Sequence, residues 1–224
     1  MCGRLTLRTP MSVLMREFEF QMATPVEFLP RYNIAPMQTI AAVLVRGGQR
    51  QCDFFRWGLI PSWAKDTKIA ASTINARAET VAEKPAFRSA FKSRRCLILA
   101  DGYYEWLREG KSKQPYLYEV NEGKPFAIAG LWEMWRGPTG DDAPLQTCSV
   151  ITTEANRLAA QVHDRMPVIL HPADYEAWLQ PTTEPATLKR LLAPFEADAM
   201  TARPVSQYVN NARHEGAECV AAVE

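Results

Sequence analysis

Short runs of apolar residues, broken every few positions by glycine, proline or a polar cluster, dominate this chain. Six runs read as strands: Thr39 to Val45, Asp53 to Trp57, Cys96 to Ala100, Tyr116 to Val120, Phe126 to Ala129 and Cys148 to Thr152. Gly47-Gly48, Asn121-Glu122-Gly123 and Gly137 to Asp142 punctuate them as turns. Helical periodicity is sparser. Met11 to Phe18 carries a periodic apolar face behind Thr9, a residue type that caps, and Pro10, which suits a first helical position. Further helices are predicted over Ala82 to Arg94, Thr153 to Ala160, Pro172 to Leu179 and Pro185 to Leu192. Strands do not alternate regularly with long helices, which argues against a doubly wound parallel sheet. The expectation is α+β: one compact domain over residues 1–224, with curved, mainly antiparallel sheets and short flanking helices.

Composition narrows the function classes. The 224 residues carry 26 Lys and Arg against 25 Asp and Glu, a formal charge of +1. A nucleic-acid site must therefore be a local patch and not the average surface. No apolar run approaches the roughly 18 residues that span a bilayer, and the start lacks the order of a signal peptide. A cytoplasmic protein with no membrane partner is expected. Five cysteines at long spacings, with no Cys-x-x-Cys pair, support neither a disulfide framework nor structural zinc. Three scattered histidines offer no metal-ligand spacing, so no metal and no cofactor are expected.

Cys2 is the most informative position. Removal of Met1 would leave a first residue with a thiol and an α-amine on neighbouring carbons. Their reference pKa values, about 8.5 and about 7.7–8.0, leave both partly nucleophilic near neutral pH. Such a terminus can condense with an aldehyde to an imine and close to a thiazolidine, or act as an N-terminal nucleophile hydrolase. A cysteine at position 2 is also a common accident. Glu105 follows a buried-looking strand between aromatics, surroundings that raise a carboxyl pKa and suit acid–base work, or that house a structural ion pair. His163, flanked by Asp164 and Arg165, is a proton-transfer candidate or a hydrogen-bonded core histidine. Asn75 can orient an amine or carbonyl, or serve a turn. Core packing accounts for at least one of Trp57 and Trp63; an exposed Trp63 beside basic residues would stack on bases. Scattered arginines, among them Arg4, Arg77 and Arg88, could track phosphates or merely be solvated.

Taken as an ordered set, six segments resemble the SOS-response-associated peptidase family. They are Met-Cys-Gly-Arg at the start, Arg31 to Pro36, Trp57 to Trp63, Asn75 to Thr80, Ala100 to Trp106 and His163 to Pro167. The family's members are abasic-site processing proteins. The resemblance implies a catalytic Cys2, exposed by Met1 removal, with Asn75, Glu105 and His163 as the other catalytic residues. It implies a channel for single-stranded DNA, and Arg4, Asn33, Trp63, Arg77 and Arg88 are expected to contact the strand. The implied reaction is a thiazolidine crosslink between Cys2 and an abasic deoxyribose, with self-processing of the N-terminus behind the peptidase name. A monomer is expected. Two rival readings are a cysteine peptidase or amidohydrolase acting on peptides in trans, and a non-covalent single-stranded DNA-binding module.

Overall fold

The computed structural model describes residues 2–24, 27–110 and 112–223. In chain order the strands are β1 (Leu5–Leu7), β2 (Gln21–Met22), β3 (Arg31–Ile34), β4 (Thr39–Arg46), β5 (Gln49–Trp57), β6 (Asn75–Arg77) and β7 (Arg95–Ala100). They continue as β8 (Gly102–Glu109), β9 (Ser112–Val120), β10 (Phe126–Trp135), β11 (Leu145–Glu154), β12 (Arg165–Pro167), β13 (Ile169–Leu170) and β14 (Met200–Pro204). Among the described residues four short α-helices accompany them: α1 (Met11–Phe18), α2 (Arg88–Ser93), α3 (Tyr175–Leu179) and α4 (Pro185–Arg190). The α+β expectation holds.

Two sheets form among the described residues. The larger runs β12-β11-β10-β7-β4-β5-β2, with β13 on β10 and β6 on β11. β5 also pairs with β11, Thr147 opposite Arg56 and Cys148 opposite Trp57, so β11-β10-β7-β4-β5 closes into a ring. β7 lies within that ring and is buried at all six positions, which explains the apolar run from Cys96 to Ala100; the buried Arg95 at its start donates to the carbonyls of Trp178 and Phe91. A Cβ on Gly130 would approach Ile98 to 2.7 Å and the Cys96 sulfur to 2.9 Å, so β10 can press on β7 only with glycine there. At Gly47-Gly48, φ of 58° and 77° makes the tight β4–β5 hairpin that the sequence signals. The smaller sheet, β14-β9-β8-β1-β3, is antiparallel throughout.

Three helical expectations need correction. α1 has the predicted bounds, but Pro10 is its cap residue, accepting from Val13 and Leu14, while the Thr9 hydroxyl donates to Asp101 Oδ2 at 2.9 Å. The helix expected over 153–160 is the end of β11 followed by one turn at Ala159–Gln161. Thr152 to Glu154 pair with β12, and ladder bonds outcompete local helix propensity there. Of the span 82–94, only Arg88–Ser93 is α-helical; turns occupy the segment around Pro85, whose missing N–H and restricted predecessor disfavour helix.

Asp101, buried at the β7–β8 corner, fixes where the chain begins. Its carboxylate accepts from the Thr6 hydroxyl, from the backbone nitrogens of Arg8 and Thr9 and from Arg8 Nε at 3.0 Å. Opposite Thr6 stands Gly102, where a Cβ would meet the Thr6 hydroxyl at 2.8 Å. β1 is thus clamped against β8, and the residues before it are aimed into the seam between the sheets.

Candidate active site

Four side chains converge at that seam from separate elements. Cys2 precedes β1 and is fully buried. Asn75 opens β6, on the edge of the large sheet, and its Nδ2 donates to the Cys2 carbonyl at 2.7 Å. Its Oδ1 is buried without a hydrogen-bond partner among the described residues. Glu105 comes from β8 in the small sheet and is 4% exposed. His163 stands in the turn before β12 and lines the same cleft as Glu105.

Electrostatics reflects this convergence. Burial is the main reason the Glu105 carboxyl is pushed from 4.5 up to about 7. Burial, and then the charge of Glu105, push the Cys2 thiol well above its ordinary value. The His163 imidazole is lowered, first by burial. Its Nδ1 is 2.8 Å from Asp164 Oδ1 and 3.0 Å from the Arg165 backbone nitrogen. A neutral Nδ1 accepts from Arg165 and a protonated one donates to Asp164; both contacts orient the ring through the same nitrogen.

The cleft in front of Glu105 has a volume of about 710 Å³ and carries Arg4, Arg108 and Lys113 against the acids Glu105 and Asp164. Arg108 and Lys113 face each other across the β8–β9 pair. Arg4 donates to the Val209 carbonyl at 2.7 Å and lies 5.4 Å above the Trp106 ring, whose Nε1 donates to Asn210 at 2.6 Å. Among the described residues no cluster of three or more His, Cys, Asp or Glu could hold a metal, and no helix is long and apolar enough to cross a membrane.

Not every expected strand contact belongs to this cleft. Asn33 is fully buried, its Oδ1 accepts from Arg4, and its amide donates to the carbonyls of Asn211 at 3.0 Å and His214 at 2.8 Å. It braces Arg4, a cleft residue, and the C-terminal segment. Arg77 is exposed at the end of β6, two residues beyond Asn75 and so on the same strand face. Arg88 is exposed on α2, away from the cleft lining, and Trp63 is 59% exposed on the loop after β5. Trp57 is the core member of its segment, with Nε1 donating to the Ile74 carbonyl at 2.8 Å. Sequence reasoning missed Arg108 and Lys113. A hairpin register read through Gly110 would have paired them across the turn.

A model of the SOS response associated peptidase family matches residues 1–212. The chain is 44% identical over 223 residues to the abasic site processing protein YoqW of Bacillus subtilis, covering 98% of this chain and 99% of that one. It is 33% identical over 231 residues to the abasic site processing protein HMCES of Xenopus tropicalis, over 88% of this chain and 67% of the relative. Among solved structures, a protein from Bacteroides thetaiotaomicron superposes with a TM-score of 0.90 at 26% identity over 100% of both chains. One from Bordetella bronchiseptica gives 0.78 at 26% identity, over 92% of this chain and 100% of that one.

Proposed function

Because this chain belongs to the SOS response associated peptidase family, we propose that it processes abasic sites in single-stranded DNA by capturing them covalently on Cys2. The observation that carries this reading is the burial of Cys2 beside a carboxyl that titrates near neutrality, at the edge of a basic cleft. Met1 lies outside the described residues, and its removal is part of the proposal.

With Met1 gone, the Cys2 α-amine and thiol lie on adjacent carbons. Asn75, already bonded to the Cys2 carbonyl, has Oδ1 available to accept from that amine. An abasic deoxyribose is mostly a closed hemiacetal. His163, anchored through Nδ1, exchanges protons with the ring oxygen and the 1′-hydroxyl as the ring opens. The amine adds to C1′. Protonated Glu105 gives its proton to the carbinolamine oxygen, which leaves as water and generates a cationic C=N bond. That charge favours ionisation of the neighbouring thiol, opposing the burial that holds it protonated. The thiol proton passes to Glu105, sulfur adds to C1′, and the nitrogen becomes neutral. In balance, C1′–N and C1′–S form, C1′–O breaks, and one water leaves. A group near pH 7 can both donate and accept in this sequence. Both nucleophiles belong to one residue, so ring closure is intramolecular, with the advantage of a high effective molarity. Closure also removes the imine that would promote β-elimination.

Arg4, Arg108 and Lys113 supply phosphate contacts at the cleft; Arg77 and Arg88 extend them, and Trp63 offers a stacking face. Little sequence preference follows from such contacts. The test is a heated denaturing gel after mixing the protein with a single-stranded oligonucleotide bearing one abasic site. Wild type gives a heat-stable adduct, and Cys2→Ser gives one only after borohydride reduction. An unreduced Cys2→Ser adduct that survives heating would overturn the thiazolidine.

A further inference from the structure

Behind the reactive carboxyl lies a pair of tyrosines that the scheme above does not use. Tyr103 and Tyr118 face each other directly across the β8–β9 ladder, both fully buried. Their rings stack at 4.8 Å between centroids, only 9° from parallel. Tyr103 is two residues before Glu105, so strand alternation puts the two on the same face of β8. Neither tyrosine hydroxyl has a hydrogen-bond partner among the described residues.

Apolar packing explains the rings and not the oxygens. Phenylalanine would stack as well, and a buried hydroxyl left without a partner costs roughly 1–3 kcal/mol. Two such oxygens in one place call for a shared polar occupant. The occupant's size follows from the stack. Side chains from opposed positions leave the sheet in the same direction, so the two oxygens are separated by about the ring spacing. A water with two hydrogen bonds of about 2.8 Å spans such a gap.

We propose that Tyr103 and Tyr118 are positioning residues whose hydroxyls seat a water against the Glu105 carboxyl. The water hydrogen-bonds the carboxyl and favours its ionised form after the proton has gone to the departing oxygen. This role rests on the proposed reaction, but the seat itself does not. Glu105 also experiences other groups: the Cys2 thiol from the N-terminal lead, Asp164 and His163 from the turn before β12, and Arg4, Arg108 and Lys113 across the cleft. The tyrosine variants leave all of these in place. Both phenols stay protonated near neutral pH, since burial raises them, and they act as hydrogen-bonding groups and not as bases.

The test uses Tyr103→Phe and Tyr118→Phe in the full-length protein, since each keeps the stacked ring. The Glu105 carboxyl is titrated by carbon-13 NMR without DNA, the thermal midpoint is measured, and the pH dependence of crosslinking is recorded in parallel. The proposal predicts that Glu105 titrates at least half a unit higher in each variant and that the alkaline limb of the crosslinking profile moves up with it, so that the rate at pH 8, relative to the same variant's rate at pH 6, rises about two-fold or more. A Glu105 titration unmoved in both variants, with higher thermal midpoints, would mean that the hydroxyls are simply unsatisfied and would overturn the proposal. Should wild type form no adduct, the reading of function fails, while the DNA-free titration still decides the water seat. If one variant does not fold, the other decides it.

Discussion

Two carboxylates four residues apart, one at the corner before β8 and one within it, live in opposite conditions. Asp101 and Glu105 are 2% and 4% exposed. Asp101 collects two hydroxyls, two backbone nitrogens and the Arg8 guanidinium, a full set of donors for an ionised group. Glu105 is sunk beside a thiol and two tyrosines, and burial holds its carboxyl near pH 7. The first region uses a buried charge to fasten the chain. The second keeps a buried acid undecided between its two protonation states, which is what proton transfer needs. The same strand thus carries a latch at its base and a reactive group further along, and the latch determines where Cys2 meets that group.

The sharpest way to break the contrast is Asp101→Asn. Its amide nitrogen would face donors, and loss of a buried, multiply bonded charge costs about 3–5 kcal/mol. Urea denaturation should show a loss of this size. The folded fraction should keep the wild-type pH midpoint for crosslinking, because the reacting groups are intact.

Glu105→Gln should do the reverse. Loss of a general acid–base group typically slows a reaction 100-fold or more, and single-turnover crosslinking at pH 7 should drop by that order. Stability should move the other way. The folded value of about 7 exceeds the ordinary 4.5, so wild-type stability falls as pH rises from about 4.5 through about 7. Gln has no such loss. Above pH 7 the variant should be the more stable of the two, by up to roughly 3 kcal/mol, as denaturant melts at pH 5 and pH 8 would record.

Smaller effects are expected at the cleft wall. Arg108→Ala or Lys113→Ala should weaken retention of intact and abasic strands alike. Each should reduce the log–log salt slope of binding by about 0.7, the loss of one phosphate contact on a single strand. The rate of ring closure on bound DNA should stay as it is.

Which features the chain discloses in advance follows from how local their causes are. β7, an apolar run buried on both faces, and α1, with its periodic face, are legible because their neighbours in sequence determine them. The convergence of Cys2, Asn75, Glu105 and His163 follows from the resemblance of the motifs. Composition and spacing alone leave each as a candidate with a structural alternative. Long-range pairing is what escapes. The parallel β5–β11 contact that closes the ring joins residues some ninety positions apart, and the pairing that makes Thr153 and Glu154 strand instead of helix lies in β12. Asn33 is expected to contact the strand only through the family resemblance, and nothing in its sequence neighbours shows that it is buried. Only the folded C-terminal segment, whose carbonyls take its amide, makes it internal. Asp101 likewise reads in sequence only as part of a motif, whereas its work as a latch depends on Thr6, Arg8 and Thr9.

The most direct measurement is the intact mass of the purified protein, alone and after reaction with an abasic oligonucleotide, followed by peptide mapping. The account predicts a chain that starts at Cys2 and an adduct heavier by the oligonucleotide less one water. That adduct should map to the N-terminal peptide, with a Cys2 sulfur that iodoacetamide no longer alkylates. Retention of the first methionine in the protein that reacts, or an adduct mapped to any other residue, would contradict it.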